Sequence, residues 1–136
     1  MKILLTVYCI TRCDTTSGFN GKGKKKVFNL FMKYAKTFQN LHDIGEQLNL
    51  QKLQKDACEK FVALLYRNEN LTLNEIRRIR AASSAHPKAL PPTRDSFYLH
   101  CLRCLLQLWI WHHSLVAKHD LPSPTLFGYH FDSSNN

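Results

Sequence analysis

Gly18, Gly21 and Gly23 fall within six positions and run directly into Lys24-Lys25-Lys26. A glycine-rich turn exposes backbone N–H groups, and a helix N-terminus behind it adds partial positive charge, so the pairing suits a phosphate. Glycine matters there because a side chain would hold the phosphate away. Between Arg12 and Lys36 the chain carries seven cations (Arg12, Lys22, Lys24, Lys25, Lys26, Lys33, Lys36) and one acid, Asp14; the local charge of +6 is two thirds of the +9 carried by all 136 residues. The G-x-x-x-x-G-K-[ST] spacing of a P-loop is absent. Gly18-Phe19-Asn20-Gly21-Lys22-Gly23-Lys24 is closer to a hairpin between two helices. The expected phosphate site is therefore Gly21, Lys22, Gly23, Lys24, Lys25, Lys26 and Lys33, contacts that position a duplex without reading bases. A solvated basic face beside an ordinary turn is the plainer alternative.

Other side chains could do chemistry. Asp14 is the only acid before Asp43. A two-metal site needs several carboxylates around ions about 3.5–4 Å apart, so Asp14 is a metal ligand only in company and otherwise a helix cap. His100, Cys101, Cys104, His112 and His113 share one stretch. Cys101-x-x-Cys104 could set two sulfurs on one helix face, but structural zinc takes four ligands, usually from a turn plus a helix. Both cysteines also fall on an apolar stripe, where cysteine is a common small core residue, and core packing is the expectation. No histidine motif lies near Cys13, so a thiol nucleophile is not expected. Trp109 and Trp111 are two apart on a predicted helix, so one faces outward, as a rim aromatic rather than a base-stacking platform. Arg77, Arg78 and Arg80 form a solvated face or a second phosphate contact.

The elements that position these residues are mainly helical. Val27, Leu30, Phe31, Tyr34, Ala35 and Phe38 make one apolar stripe and predict a helix over 24–38. Residues 52–66 predict a second, with Leu53, Ala57, Phe61, Leu64 and Leu65 inward. Thr72-Leu73-Asn74-Glu75 is a capping box that starts a third over 73–82. Thr93 caps the longest, over 94–117, with Tyr98, Cys101, Leu102, Leu105, Leu108, Trp109 and His112 inward. Residues 2–11 are apolar and short, and periodicity does not separate strand from helix there. Residues 41–48 predict a weaker helix or turn, interrupted by Gly45. Pro87, Pro91 and Pro92 mark a loop, and Pro122 and Pro124 make 118–136 an irregular tail, pinned to the core by Leu126, Phe127, Tyr129 and Phe131. The organisation is one mainly α region over 1–136: a glycine–lysine hairpin and helix (11–38), then three or four longer helices.

Composition sets the outer limits. The chain is 44% hydrophobic, enough for a packed core, and only 21% charged, so the +9 reflects imbalance rather than abundance. A basic field of this size attracts polyanions, nucleic acid before an acidic membrane surface. Five cysteines in no regular framework read as reduced thiols of an intracellular protein. Met1-Lys2 followed by Ile3 to Ile10 imitates a short signal peptide but offers no clear small-residue cleavage site. The sequon Asn70-Leu71-Thr72 would matter only after secretion. No run approaches the roughly 20 apolar residues that span a bilayer.

Cys13-Asp14-Thr15-Thr16-Ser17, followed by Gly21-Lys22-Gly23-Lys24-Lys25-Lys26, resembles the Gly-Cys-Asp plus Gly-x-Gly-x-Lys-Lys segment of PIN-like and flap-endonuclease-like nucleases. The resemblance implies that Asp14 matches a late ligand of a catalytic Mg²⁺ pair, and that the glycine hairpin opens a helix–turn–helix holding duplex backbone. More of the chain, about Thr11 to Asp132, is similar to a group of uncharacterised transposon-like animal proteins. The likeness extends through Leu90-Pro91-Pro92-Thr93, Ile110-Trp111, Leu121-Pro122-Ser123-Pro124 and Phe127-Gly128. Two departures shape the expectation. Arg12 stands where that pattern has glycine, and those nucleases carry their other carboxylates upstream. The resemblance thus implies the C-terminal part of a larger nuclease-like domain derived from a mobile element. Such a chain would bind phosphate backbone, most naturally duplex DNA, and would not catalyse on its own. No cofactor is required; Mg²⁺ belongs only to a nuclease completed by a missing N-terminal half or a protein partner. The location implied is intracellular, with the nucleus open to it. The alternatives are the C-terminal part of an active Mg-dependent nuclease, and a helical protein-interaction module with no nucleic-acid role.

Overall fold

The computed structural model describes residues 2–12, 19, 21–68, 70–83, 85–114 and 121–130. Among them regular structure is entirely helical: α1 (Lys2–Thr11), α2 (Lys24–Tyr34), α3 (Lys52–Leu65), α4 (Leu73–Ala82) and α5 (Arg94–His112), with 3₁₀ turns at Gln39–Leu41, Pro87–Ala89 and Pro124–Phe127. The mainly α fold read from the sequence is the fold found.

The segment that periodicity left open is a helix. Val7, Cys9 and Ile10 are buried on α1, and this face packs along α5. The burial is what decides the conformation, because ten residues alone form a marginal helix in water. At α4 the capping box is realised: Glu75 N–H donates to Thr72 Oγ1 at 3.3 Å, and Thr72 N–H donates to Glu75 Oε2 at 2.8 Å. These bonds hold the Glu75 carboxyl below its ordinary range. Gln54 does the same for α3, accepting from Gln51 N–H at 3.0 Å. Thr93 caps α5, and Asn74 Oδ1 accepts from Arg94 N–H at 2.9 Å, tying α4 to the start of α5.

Several expected boundaries and faces are corrected. The helix expected over 24–38 ends at Tyr34. Beyond it Thr37 bonds back to Tyr34 and Phe38 to Ala35, three residues apart, and the tightened turn drops Phe38 edge-on against Phe61, 5.3 Å between centroids. The helix expected over 94–117 ends at His112, after which Ser114 N–H turns back to Trp111; residues 115–117 lie outside the described set. Its buried stripe is Phe97, Cys101, Cys104, Leu105 and Leu108 together with His100, not one through Tyr98, which is exposed with the Lys55 ammonium 4.3 Å from its ring. Leu102, Trp109 and His112 are only half-buried. Leu53, expected inward on α3, is 65% exposed, and Leu126 is 70% exposed while its neighbour Phe127 is buried. Phe131 lies outside the described residues.

Residues 42–45 form a turn rather than a helix. Gly45 has φ +96, and a Cβ there would stand 2.6 Å from the Leu108 Cβ, so only glycine lets this turn lie on α5.

Candidate nucleic-acid interface

The glycine–lysine turn closes through Lys22 N–H donating to Phe19 O at 3.2 Å. Gly21 has φ +71, a left-handed conformation that favours glycine, whereas Gly23 is extended (φ −67, ψ 157) and serves as the N-cap of α2. A Cβ built on either would meet nothing within 4 Å. Gly23 has no side chain to satisfy the first N–H groups of α2, and no acid stands in the first turn. Lys24, Lys25 and Lys26 sit there instead, at the positive end of the helix dipole, where cations are unfavourable.

Two basic clusters that are far apart in sequence meet at Tyr66. The Lys22 ammonium lies 4.6 Å from the Tyr66 ring centroid and the Arg80 guanidinium 5.1 Å. Arg80 Nη2 also donates to Tyr66 O at 3.2 Å, while its Nε is buried and bonds to nothing among the described residues. Lys22 is half-buried, and its ammonium pKa is lowered, first by burial and then by the nearby charges of Lys26, Arg80 and Arg67. Burial raises the Tyr66 hydroxyl pKa, with Arg80 opposing.

Arg67 reaches this cluster by an unusual route. Arg67 N–H bonds to Leu64 O (2.9 Å) and Asn68 N–H to Ala63 O (3.0 Å), the paired bonds of a Schellman C-cap. The residue that must turn left-handed in this motif is usually glycine; here it is Arg67, at φ 62. It is the one non-glycine residue with positive φ among those described. Sequence reasoning missed Arg67 and Tyr66, because the glycine that marks such a helix end is absent.

The remaining expected site residues are dispersed. Lys24 turns toward α1, its ammonium 4.5 Å from the Tyr8 ring. Lys25 is exposed. Lys33 lies two turns along α2 from Lys26, about 10 Å by helical rise, with its ammonium 5.3 Å from the Tyr34 ring. Arg77 is drawn off to Pro91 O (2.8 Å) and Arg78 is exposed. Cys13, Asp14 and Gly18 lie outside the described residues.

Four of the six described carboxylates are engaged elsewhere. Glu46 pairs with Lys2 (2.7 Å), Asp43 with His42 (2.8 Å) and Glu59 with Arg94 (2.9 Å), and Glu75 caps α4. None of the ion pairs among the described residues involves Lys22, Lys26, Arg67 or Arg80. No group of three or more His, Cys, Asp or Glu among the described residues is placed to hold a metal ion.

The histidine and cysteine cluster has a structural use. The last carbonyls of α1 are buried against α5 and need donors. His100 Nε2 lies 2.6 Å from Ile10 O and must carry the proton, since a carbonyl only accepts. One turn later Cys104 Sγ donates to Cys9 O at 3.4 Å. Burial keeps His100 neutral by lowering its pKa, against the pull of the Ile10 carbonyl, with Arg103 adding to the lowering. The Cys101 thiol pKa is raised by its hydrogen bond with Cys58 and by burial, and that of Cys104 by burial and then Cys9. Cys101 and Cys104 are core residues, as expected. Trp109 stacks on His113 at 4.4 Å, and both Trp109 and Trp111 are half-buried.

No described helix is long and apolar enough to cross a membrane. No protein family, curated protein or solved structure matches the chain.

Proposed function

We propose that this chain binds the phosphate backbone of nucleic acid, independently of base sequence, through the Gly21–Lys26 turn and the cations gathered at Tyr66. The observation that carries the reading is the meeting of Lys22 and Arg80 on the Tyr66 ring, with the charges of Lys26 and Arg67 near enough to act on Lys22 and no described carboxylate paired to any of the four. Like charges drawn together destabilise a fold unless a polyanion answers them. The first N–H groups of α2, which no side chain caps, add donors next to Lys22 and Lys26. The motif resemblance supports a nuclease-like lineage that positions nucleic acid rather than cutting it. Such a partner belongs inside the cell, and in the nucleus if it is DNA.

The test is a titration against duplex DNA, single-stranded DNA and RNA over a series of salt concentrations. Four neutralised phosphates give a log–log slope of about −3.6. A flat salt dependence, or no binding at low salt, would end the reading. With Mg²⁺ or Mn²⁺ the purified chain is expected to leave all three substrates intact; cleavage that disappears in Asp14→Ala would show a working nuclease instead.

A further inference from the structure

Beside the basic face, and sharing Tyr66 with it, the structure holds a cleft of about 390 Å³. That size falls within the roughly 300–1,000 Å³ usual for small-ligand sites. Phe19 is its partly exposed aromatic ring, backed by the buried rings of Tyr66, Phe97 and His100, with Phe19 and Phe97 tilted at 46° and 6.4 Å between centroids. Among the described residues its charged lining is cationic, Arg77, Lys88 and Arg103, without a carboxylate. Two of these are held by backbone carbonyls, Arg77 Nη1 by Pro91 O and Arg103 Nη1 by Gly128 O, both at 2.8 Å. A guanidinium has five N–H donors, so each anchored arginine keeps others for a ligand. Lys88 is exposed on the 3₁₀ turn.

A partly exposed aromatic ring, Phe19, beside a cationic rim with no acid among the described residues suits a planar ring that carries negative charge, which is the chemistry of a nucleotide. Tyr66 joins the two features, since it lines the cleft and also carries Lys22 and Arg80 against its ring. A base inside a duplex is covered by its neighbours and cannot enter such a cleft without leaving the stack. We infer that the cleft takes one unpaired nucleotide of a strand whose neighbouring phosphates lie on the basic face, so that the chain prefers unpaired to fully paired nucleic acid. This rests on the phosphate-binding reading above and specifies its substrate.

The test uses the full chain and an oligonucleotide carrying the fluorescent base 2-aminopurine, single-stranded or fully paired. The single strand should bind about tenfold more tightly, the size of one aromatic stacking contact, with its fluorescence quenched. Phe19→Ala and Lys88→Ala should each weaken the single strand more than the duplex and so remove most of that preference. Lys88 is exposed, so its variant remains informative if Phe19→Ala disturbs the fold. Equal affinity for the two forms, or a preference untouched by both variants, would overturn the inference and leave the phosphate reading standing. A free nucleoside monophosphate binding as tightly as the strand would also overturn it, in favour of a small-molecule site. No binding of either form would remove both readings together.

Discussion

His100 and Lys22 are both basic side chains drawn partly out of water, and burial is the leading cause pushing each toward its neutral form. Their surroundings then diverge. His100 meets the Ile10 carbonyl at 2.6 Å, with the Cys104 sulfur 3.6 Å away. Lys22 meets a tyrosine ring and feels the charges of three more cations. The first environment satisfies a neutral group and closes the end of α1. The second satisfies nothing charged, and an anion would relieve it. Burial of a polar group is thus architecture where partners are built in, and availability where they are withheld.

The sharpest way to break this contrast is at His100. His100→Ala removes the donor to a buried carbonyl and leaves a cavity, which together should cost about 3 kcal/mol of stability. Urea unfolding measures it; a loss under about 1 kcal/mol would mean that the seam between α1 and α5 does not depend on this bond. The same residue sets a pH dependence. In the unfolded chain it gains a proton below about pH 6.5, while the folded chain resists that proton until lower pH. Its contribution is therefore complete above that value and lost as pH falls toward the lowered folded pKa. Wild-type protein should lose midpoint temperature across this window more steeply than His100→Ala. Parallel pH profiles would refute the assignment.

The opposite is expected on the basic face. Lys22→Ala with Lys26→Ala should change stability little, since neither is in an ion pair among the described residues. Binding should weaken about tenfold at low salt, and the salt slope should shrink by about 0.9 for each cation removed. An unfolding midpoint that drops sharply, with the slope unchanged, would make these lysines structural and reverse the comparison.

How much of this could be read from the residues alone follows the same divide. The third long helix was legible because Thr72 and Glu75 announce its start locally, and the core role of Cys101 and Cys104 because they sit on an apolar stripe. The α5 face was misplaced by about one residue because Phe97 and Tyr98 are adjacent aromatics on a helix with apolar residues on most sides. The seam was hidden for a different reason: His100 reads only as one member of a possible zinc cluster until Ile10 is known to end a helix against it. The cluster at Tyr66 was out of reach, since nothing local places Arg67 and Arg80 beside Lys22.

Arg67 sharpens the contrast at a smaller scale. Its left-handed backbone costs roughly 1 kcal/mol that glycine would not incur, partly offset by the greater freedom of glycine when unfolded. Arg67→Gly should therefore raise stability by about 0.5 kcal/mol and lower the salt slope by about 0.9. A destabilised Arg67→Gly would mean that the side chain holds the helix end, and its place among the available cations would be lost.

The smallest effect separates stability from binding most cleanly. Lys25 is in the first turn of α2, exposed, where no acid stands and Gly23 offers no side-chain cap. The unsatisfied N–H groups there carry partial positive charge, which a lysine opposes and a glutamate complements. Lys25→Glu should thus raise stability by roughly 0.5 kcal/mol. The same reversal sets a negative charge on the face where phosphate is expected, so affinity should fall for every sequence alike and the salt slope should flatten. The two effects have opposite signs, which a general disturbance of the fold cannot produce: misfolding lowers both, and a lysine away from phosphate alters stability alone. Stability and duplex titrations on one preparation read them side by side. If Lys25→Glu gains stability and binds as well as wild type, phosphate does not approach the start of α2, and the lysines there are a solvated surface.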